Sequence, residues 1–137
     1  MPELLFAYGT LRKTHAAPEI APVVKRLRRV GPARMAGRLF DLGEFPAAVP
    51  RNGDRKSFVV GEVYELPADP GILSRLDAYE GFDPRRPAQS LFKRQRRIVT
   101  LASGRRVSCW AYLYNRKPGA LSAIPHGDYD RLKSRRA

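Results

Sequence analysis

The sequence predicts an α+β domain: a mainly antiparallel, curved sheet that closes into a small β-barrel, with a few short helices. Short runs rich in Val, Ile, Tyr and Phe recur along the chain, fenced by Gly, Pro and Asn turns. Helical apolar spacing appears in two stretches, and these do not alternate with the strands as strand-helix units would. Glycines interrupt strand-like runs at Gly37, where a bulge or bend is expected, and at Gly61.

Taken in order, Leu4 to Tyr8 forms a first strand that stops in "FAYGTLR", at a Tyr-Gly-Thr turn followed by Arg12. Pro18 opens a helix with Ile20, Val23, Val24 and Leu27 on one face, and Gly31-Pro32 stops it. Arg34 to Leu42 reads as a strand with a bulge or bend at Gly37. Gly43 to Pro46 is a loop, "PAAVP" a short extended piece and "NGD" at 52–54 a turn. "FVVGEVYEL", Phe58 to Leu66, is the clearest strand. A helix of about three turns follows, with Asp69 as N-cap, Pro70 at its first position, and Ile72, Leu73, Leu76 and Tyr79 sharing a face. Gly81 supplies its left-handed stop. "FKRQRRIVTL" and "VSCWAYLYN" then pair as a hairpin around Ser103-Gly104.

At 137 residues the chain fits a single domain, read as 1–132, with a basic tail over 133–137. No apolar run approaches the roughly 20 residues of a membrane span, and the opening residues lack a secretory leader's pattern, so no membrane partner and a cytoplasmic location are expected. Cys109 is the sole cysteine, which excludes an internal disulfide, and its neighbours Val107, Trp110 and Ala111 place it in a buried strand. The 26 Lys and Arg against 13 acidic residues give a net charge of +13. Such a field attracts nucleic acid or small anions. The basic residues are scattered, however, and no standard nucleic-acid-binding signature is present, so a solvated Arg-rich surface is the simpler reading.

Several chemistries have no support. There is no G-x-S-x-G elbow, no phosphate-binding G-x-x-x-x-G-K loop and no G-x-G-x-x-G. His15 and His126 lack metal-ligand spacing, so no metal site is expected. What remains is a carboxylate. In "LDAYEGFDP", Glu80 ends a helix between Tyr79 and Phe82, where the helix carbonyls and partial desolvation both disfavour ionisation. An acid held this way exchanges its proton near neutral pH. A surface residue at a helix end is the alternative. Asp83 reads as a turn residue and Asp77 as a solvated helix residue. The second candidate is the opening turn, where Gly9 permits positive φ and the N–H groups of Gly9, Thr10 and Leu11 are able to converge on an anion.

These stretches together resemble the gamma-glutamylcyclotransferase-like family. "YGTLR" is similar to its substrate loop, "LFDLGEFPAAVP" to its second block, and "VVGEVYEL" with "LDAYEGFDP" to the strand and helix that deliver its acidic residue. "CWAYLYN" is similar to its closing strand, and "IPHGDY" is a weaker echo. The resemblance implies a small mixed barrel that acts without cofactor or metal on a small-molecule gamma-glutamyl substrate. In that chemistry the substrate's own α-amine attacks its γ-carbonyl and 5-oxoproline leaves with release of an amine or amino acid. It implies Glu80 as general acid/base and Gly9, Thr10 and Leu11 as donors to the substrate carboxylate, with Tyr8 as a wall. Tyr114 is a candidate hydrogen-bond partner of the substrate, Tyr112 shares its face two residues away, and a core position is the alternative. A non-catalytic module that binds a small anion or nucleic acid is the competing expectation, and would gather Arg28, Arg29, Arg94, Arg96 and Arg97 on one face. The leaving group and the oligomeric state are not fixed by the sequence.

Overall fold

The computed structural model describes residues 3–9, 16–43, 45–50, 57–124 and 126–129. Its β-branched and aromatic runs form β1 (Leu4–Ala7), β2 (Arg28–Asp41), β3 (Pro46–Pro50), β4 (Phe58–Glu65), β5 (Phe92–Leu101), β6 (Arg106–Tyr114) and β7 (Ser122–Ile124). Five of these close a mixed barrel in the order β2-β4-β1-β6-β5, with β5 returning to β2. Every pairing around it is antiparallel except β1 with β6, which run parallel beside Leu5 and Trp110. Beyond the barrel, β2 continues far enough to pair with β3 and β7. The expected fold class is the one found.

Strand alternation sends one side chain set inward and the other outward. Phe6, Met35, Val59, Val63, Cys109, Ala111 and Leu113 fill the interior. Outside, Leu5, Ala7, Tyr64 and Tyr112 form a second apolar layer under α1 (Ala21–Val24) and α2 (Pro70–Glu80). Cys109 is fully buried in the inner core, and desolvation pushes its thiol up to about 12, which keeps it protonated. No helix among the described residues is long and apolar enough to cross a membrane.

The caps of α2 match expectation. Asp69 accepts a hydrogen bond from Gly71 N at 2.9 Å, and Gly81 closes the helix at φ 72°. The first helix is shorter than expected. Pro18 opens a turn, not a helix, and helical structure covers only Ala21–Val24. Pro22 has no N–H to donate, and from Arg28 onward the backbone is drawn into pairing with Glu65. Gly31-Pro32 is therefore not a stop but lies inside β2, where the register against β4 slips between Arg29 and Gly31. That slip leaves Val30 43% exposed. At Gly37, β2 changes partner from β4 to β3, and β7 was not foreseen. The turn at 52–54 and the tail at 133–137 lie outside the described residues.

Packing demands glycine at Gly61 and Gly127, among other positions. A Cβ on Gly61 would stand 2.4 Å from the Ala7 carbonyl oxygen and 2.8 Å from the Phe6 ring, so β1 and β4 can approach here only around a hydrogen. Gly127 (φ 65°) presses on β4, where a Cβ would stand 1.7 Å from the Phe58 carbonyl oxygen, and its own oxygen accepts from Val60 N at 2.7 Å. That contact seats Tyr129, 1% exposed, in the inner core. Gly61→Ala is expected to cost about 1–3 kcal/mol in urea melts, as overpacking typically does. Gly31→Ala, with nothing within 4 Å of the new methyl, serves as the control and should change stability far less.

Candidate functional site

A cleft of about 480 Å³ opens where the end of β1, the tail of α2 and the start of β3 meet. Phe6, Ala7, Tyr8 and Gly9 come to it from β1, and Tyr79, Glu80 and Gly81 from α2. Phe45 and Pro46 close one side, Leu91 and Phe92 another, Tyr112 of β6 contributes a wall, and Ala17 and Glu19 reach it from the segment before α1. Glu80 and the end of β1, far apart in sequence, thus line one cavity.

Burial pushes the Glu80 carboxyl up from 4.5 to about 7. No hydrogen bond or ion pair to Glu80 is found among the described residues, so none of these offsets the loss of water. Its neighbours are held neutral. Desolvation, with the Glu80 charge second, raises the Tyr8 phenol far above its ordinary value. Tyr112 is raised likewise by desolvation, then by its bond to Asp77, with Glu80 contributing. The hydroxyl protons of both are committed: Tyr8 donates to the Tyr112 carbonyl oxygen, and Tyr112 donates to Asp77 Oδ1 at 2.7 Å. Tyr8 also accepts from Ala48 N at 3.3 Å, tying β1 to β3 and β6.

Asp77 corrects an expectation. It is not solvated but 6% exposed, one turn of α2 before Glu80. Arg94 Nε lies 2.9 Å from its Oδ1, with the N–H not aligned on the oxygen, and the guanidinium stacks over Trp110 at 4.4 Å. Asp83 is the turn residue expected, accepting from Arg85 N at 2.9 Å.

Gly9 is not among the described glycines with positive φ, against expectation. Its smallness has a different cause: a Cβ there would stand 2.6 Å from Pro46 Cγ. Thr10, Leu11 and His15 lie outside the described residues. Tyr114 does not line the cleft; it packs edge-on against Phe92, ring centroids 5.9 Å apart, in a third apolar cluster. His126 sits in the turn near Gly127, accepting from Asp128 N at 3.3 Å. No cluster of metal-ligating side chains occurs among the described residues. Sequence reading considers both Tyr112 and Asp77 but foresees neither the burial of Asp77 nor its bond from Tyr112. Counting register outward from the Ser103-Gly104 turn sets Tyr112 across from Arg94, which was the available signal.

Residues 5–131 match the profile of the family described as gamma-glutamyl cyclotransferase, AIG2-like. The chain belongs to this family. It is 30% identical over 127 residues to MJ1514 of Methanocaldococcus jannaschii, provisionally named a gamma-glutamylcyclotransferase, with 93% of this chain and 95% of that protein covered. YtfP of Escherichia coli, a gamma-glutamylcyclotransferase family protein, is 35% identical over 92 residues, or 67% of this chain and 66% of YtfP. The solution structure of YtfP superimposes with a TM-score of 0.61 at 30% identity, covering 94% of this chain and 98% of that one. YkqA of Bacillus subtilis superimposes with a TM-score of 0.72 at 27% identity over all of this chain, which spans 44% of YkqA.

Two outcomes follow from the electrostatics. In the unfolded chain Glu80 titrates near 4.5, in the cleft at about 7. Below the lower value both states hold the proton; between the two only the folded state does, so stability falls as pH rises, and above the upper value the full penalty is present. Glu80→Gln should therefore match the parent near pH 4 and exceed it by about 1–3 kcal/mol at pH 8.5 in urea melts. Asp77→Ala is expected to cost about 3–5 kcal/mol in the same assay, since it strands the Arg94 charge and the Tyr112 hydroxyl.

Proposed function

We propose that the protein is a cyclotransferase that releases 5-oxoproline from a gamma-glutamyl amino acid, peptide or amine, with Glu80 passing the proton. The observation that carries this reading is a carboxyl lifted to about 7 in a cleft, with no paired cation among the described residues. Family membership supports the reaction class.

In this mechanism the Glu80 carboxylate takes a proton from the substrate α-ammonium. The freed amine attacks the γ-carbonyl carbon and a five-membered ring forms. Glu80 returns its proton to the departing nitrogen, the old amide C–N bond breaks, and the remaining ammonium proton leaves to the released amine or to solvent. Both nucleophile and electrophile belong to one molecule, so the protein's task is orientation and proton transfer. Main-chain N–H groups at Gly9, Thr10 and Leu11 hold the substrate carboxylate, Tyr8 walls the site, and Tyr114 supports it through Phe92. The positive field of the chain draws in an anionic substrate.

Incubation with a panel of gamma-glutamyl peptides and amines, assayed for 5-oxoproline, is expected to give turnover that Glu80→Gln lowers by about 10²–10⁴-fold. The unprotonated acid begins the reaction, so kcat/KM should fall about tenfold per pH unit below 7 and level above it. Undiminished turnover in Glu80→Gln would remove Glu80 from the reaction, and absence of 5-oxoproline across the panel would remove the reaction itself.

A further inference from the structure

Charge is segregated along this chain. Residues 84–127 contain eight arginines and two lysines and no acidic residue. They include β5 and β6, whose outer face is continuous with that of β2: Arg34 pairs in register with Thr100, and Thr100 with Arg106. Arg34 and Arg106 therefore stand on one row, two strands apart and about 10 Å from each other. α1 and α2 cover the opposite side of the barrel, over β1, β4 and Tyr112 of β6. On the uncovered side Arg34, Ser108 and Arg106 are exposed and Ile98 is 51% exposed, and Arg105 is exposed in the adjoining turn.

Arg26 is ion-paired with Asp69. Arg28, Arg29, Arg94 and Arg96 each meet a carboxylate: Glu65, Glu62, Asp77 and Glu3. Among the described residues no carboxylate pairs with Arg34, Arg105 or Arg106. The guanidinium of Arg34 lies 4.7 Å over the Phe58 ring, a cation–π contact.

We propose that this uncovered face of β2, β5 and β6 docks nucleic acid through its phosphates. A planar guanidinium matches phosphate in a way that an ammonium does not, and arginine predominates here. Ile98 alone offers too little apolar surface to enter a bilayer, which sets a membrane aside as the occupant. The face is remote from the cleft, so the proposal stands independently of the cyclotransferase reading.

The test uses the full chain and a fluorescein-labelled, mixed-sequence 20-nucleotide single-stranded RNA, with anisotropy read across a salt series. Arg34→Gln/Arg106→Gln is compared with Lys25→Gln/Arg75→Gln, which removes the same net charge from the helical side. Thermal melts establish that both variants fold. The first pair is expected to weaken binding about tenfold and to flatten the slope of log K against log salt by about 1.4, at roughly 0.7 per phosphate contact. The second pair is expected to stay within about twofold, since a distant charge is screened. Equal losses in both pairs would overturn the proposal in favour of diffuse attraction. Absence of RNA binding, with or without binding to phosphatidylglycerol vesicles, would overturn it as well.

Discussion

The tie between Asp77 and the barrel wall decides where the rest of the cleft stands. α2 meets β6 through the Tyr112 hydroxyl and β5 through Arg94, both converging on one buried oxygen. Glu80 is one turn further along the same helix, so its place follows from the contacts of Asp77. The Tyr8 hydroxyl completes the frame by joining β1 to the Tyr112 backbone. Three phenol and carboxyl groups therefore have fixed hydrogen-bond partners, and Glu80, among the described residues, has none.

The contrast between Asp77 and Glu80 is a matter of environment alone. Both are carboxylic acids on the last two turns of one helix. Asp77 has a guanidinium and a phenol to replace water, whereas Glu80 is desolvated with no such substitute among the described residues. A poised acid of this kind weakens the folded state above its own titration point, and the protein tolerates the loss because the inner core and the helical layer are built from separate residues.

Local chemistry made part of this architecture legible. Asp69, Pro70 and Gly81 mark the ends of α2 because capping depends on few residues, and Ser103-Gly104 sets a hairpin whose register follows by counting. Gly31-Pro32 misled, because a proline inside a strand needs a register slip that only the partner strand reveals. Gly9 misled in a related way: the residue type was informative, but the reason was contact with Pro46 and not a left-handed backbone. Glu80 was readable from its place at a helix end between aromatics. Asp77 was not, since its burial depends on Arg94 and Tyr112 arriving from strands that come later in the chain.

The seat of Tyr129 has a bearing on how the molecule is made. All five barrel strands precede it, yet its ring belongs to their shared interior and is locked there by Gly127 against β4. During vectorial synthesis the staves leave the ribosome first and their stopper last. The nascent cylinder must wait, unsealed, for a ring that the ribosome has still to deliver.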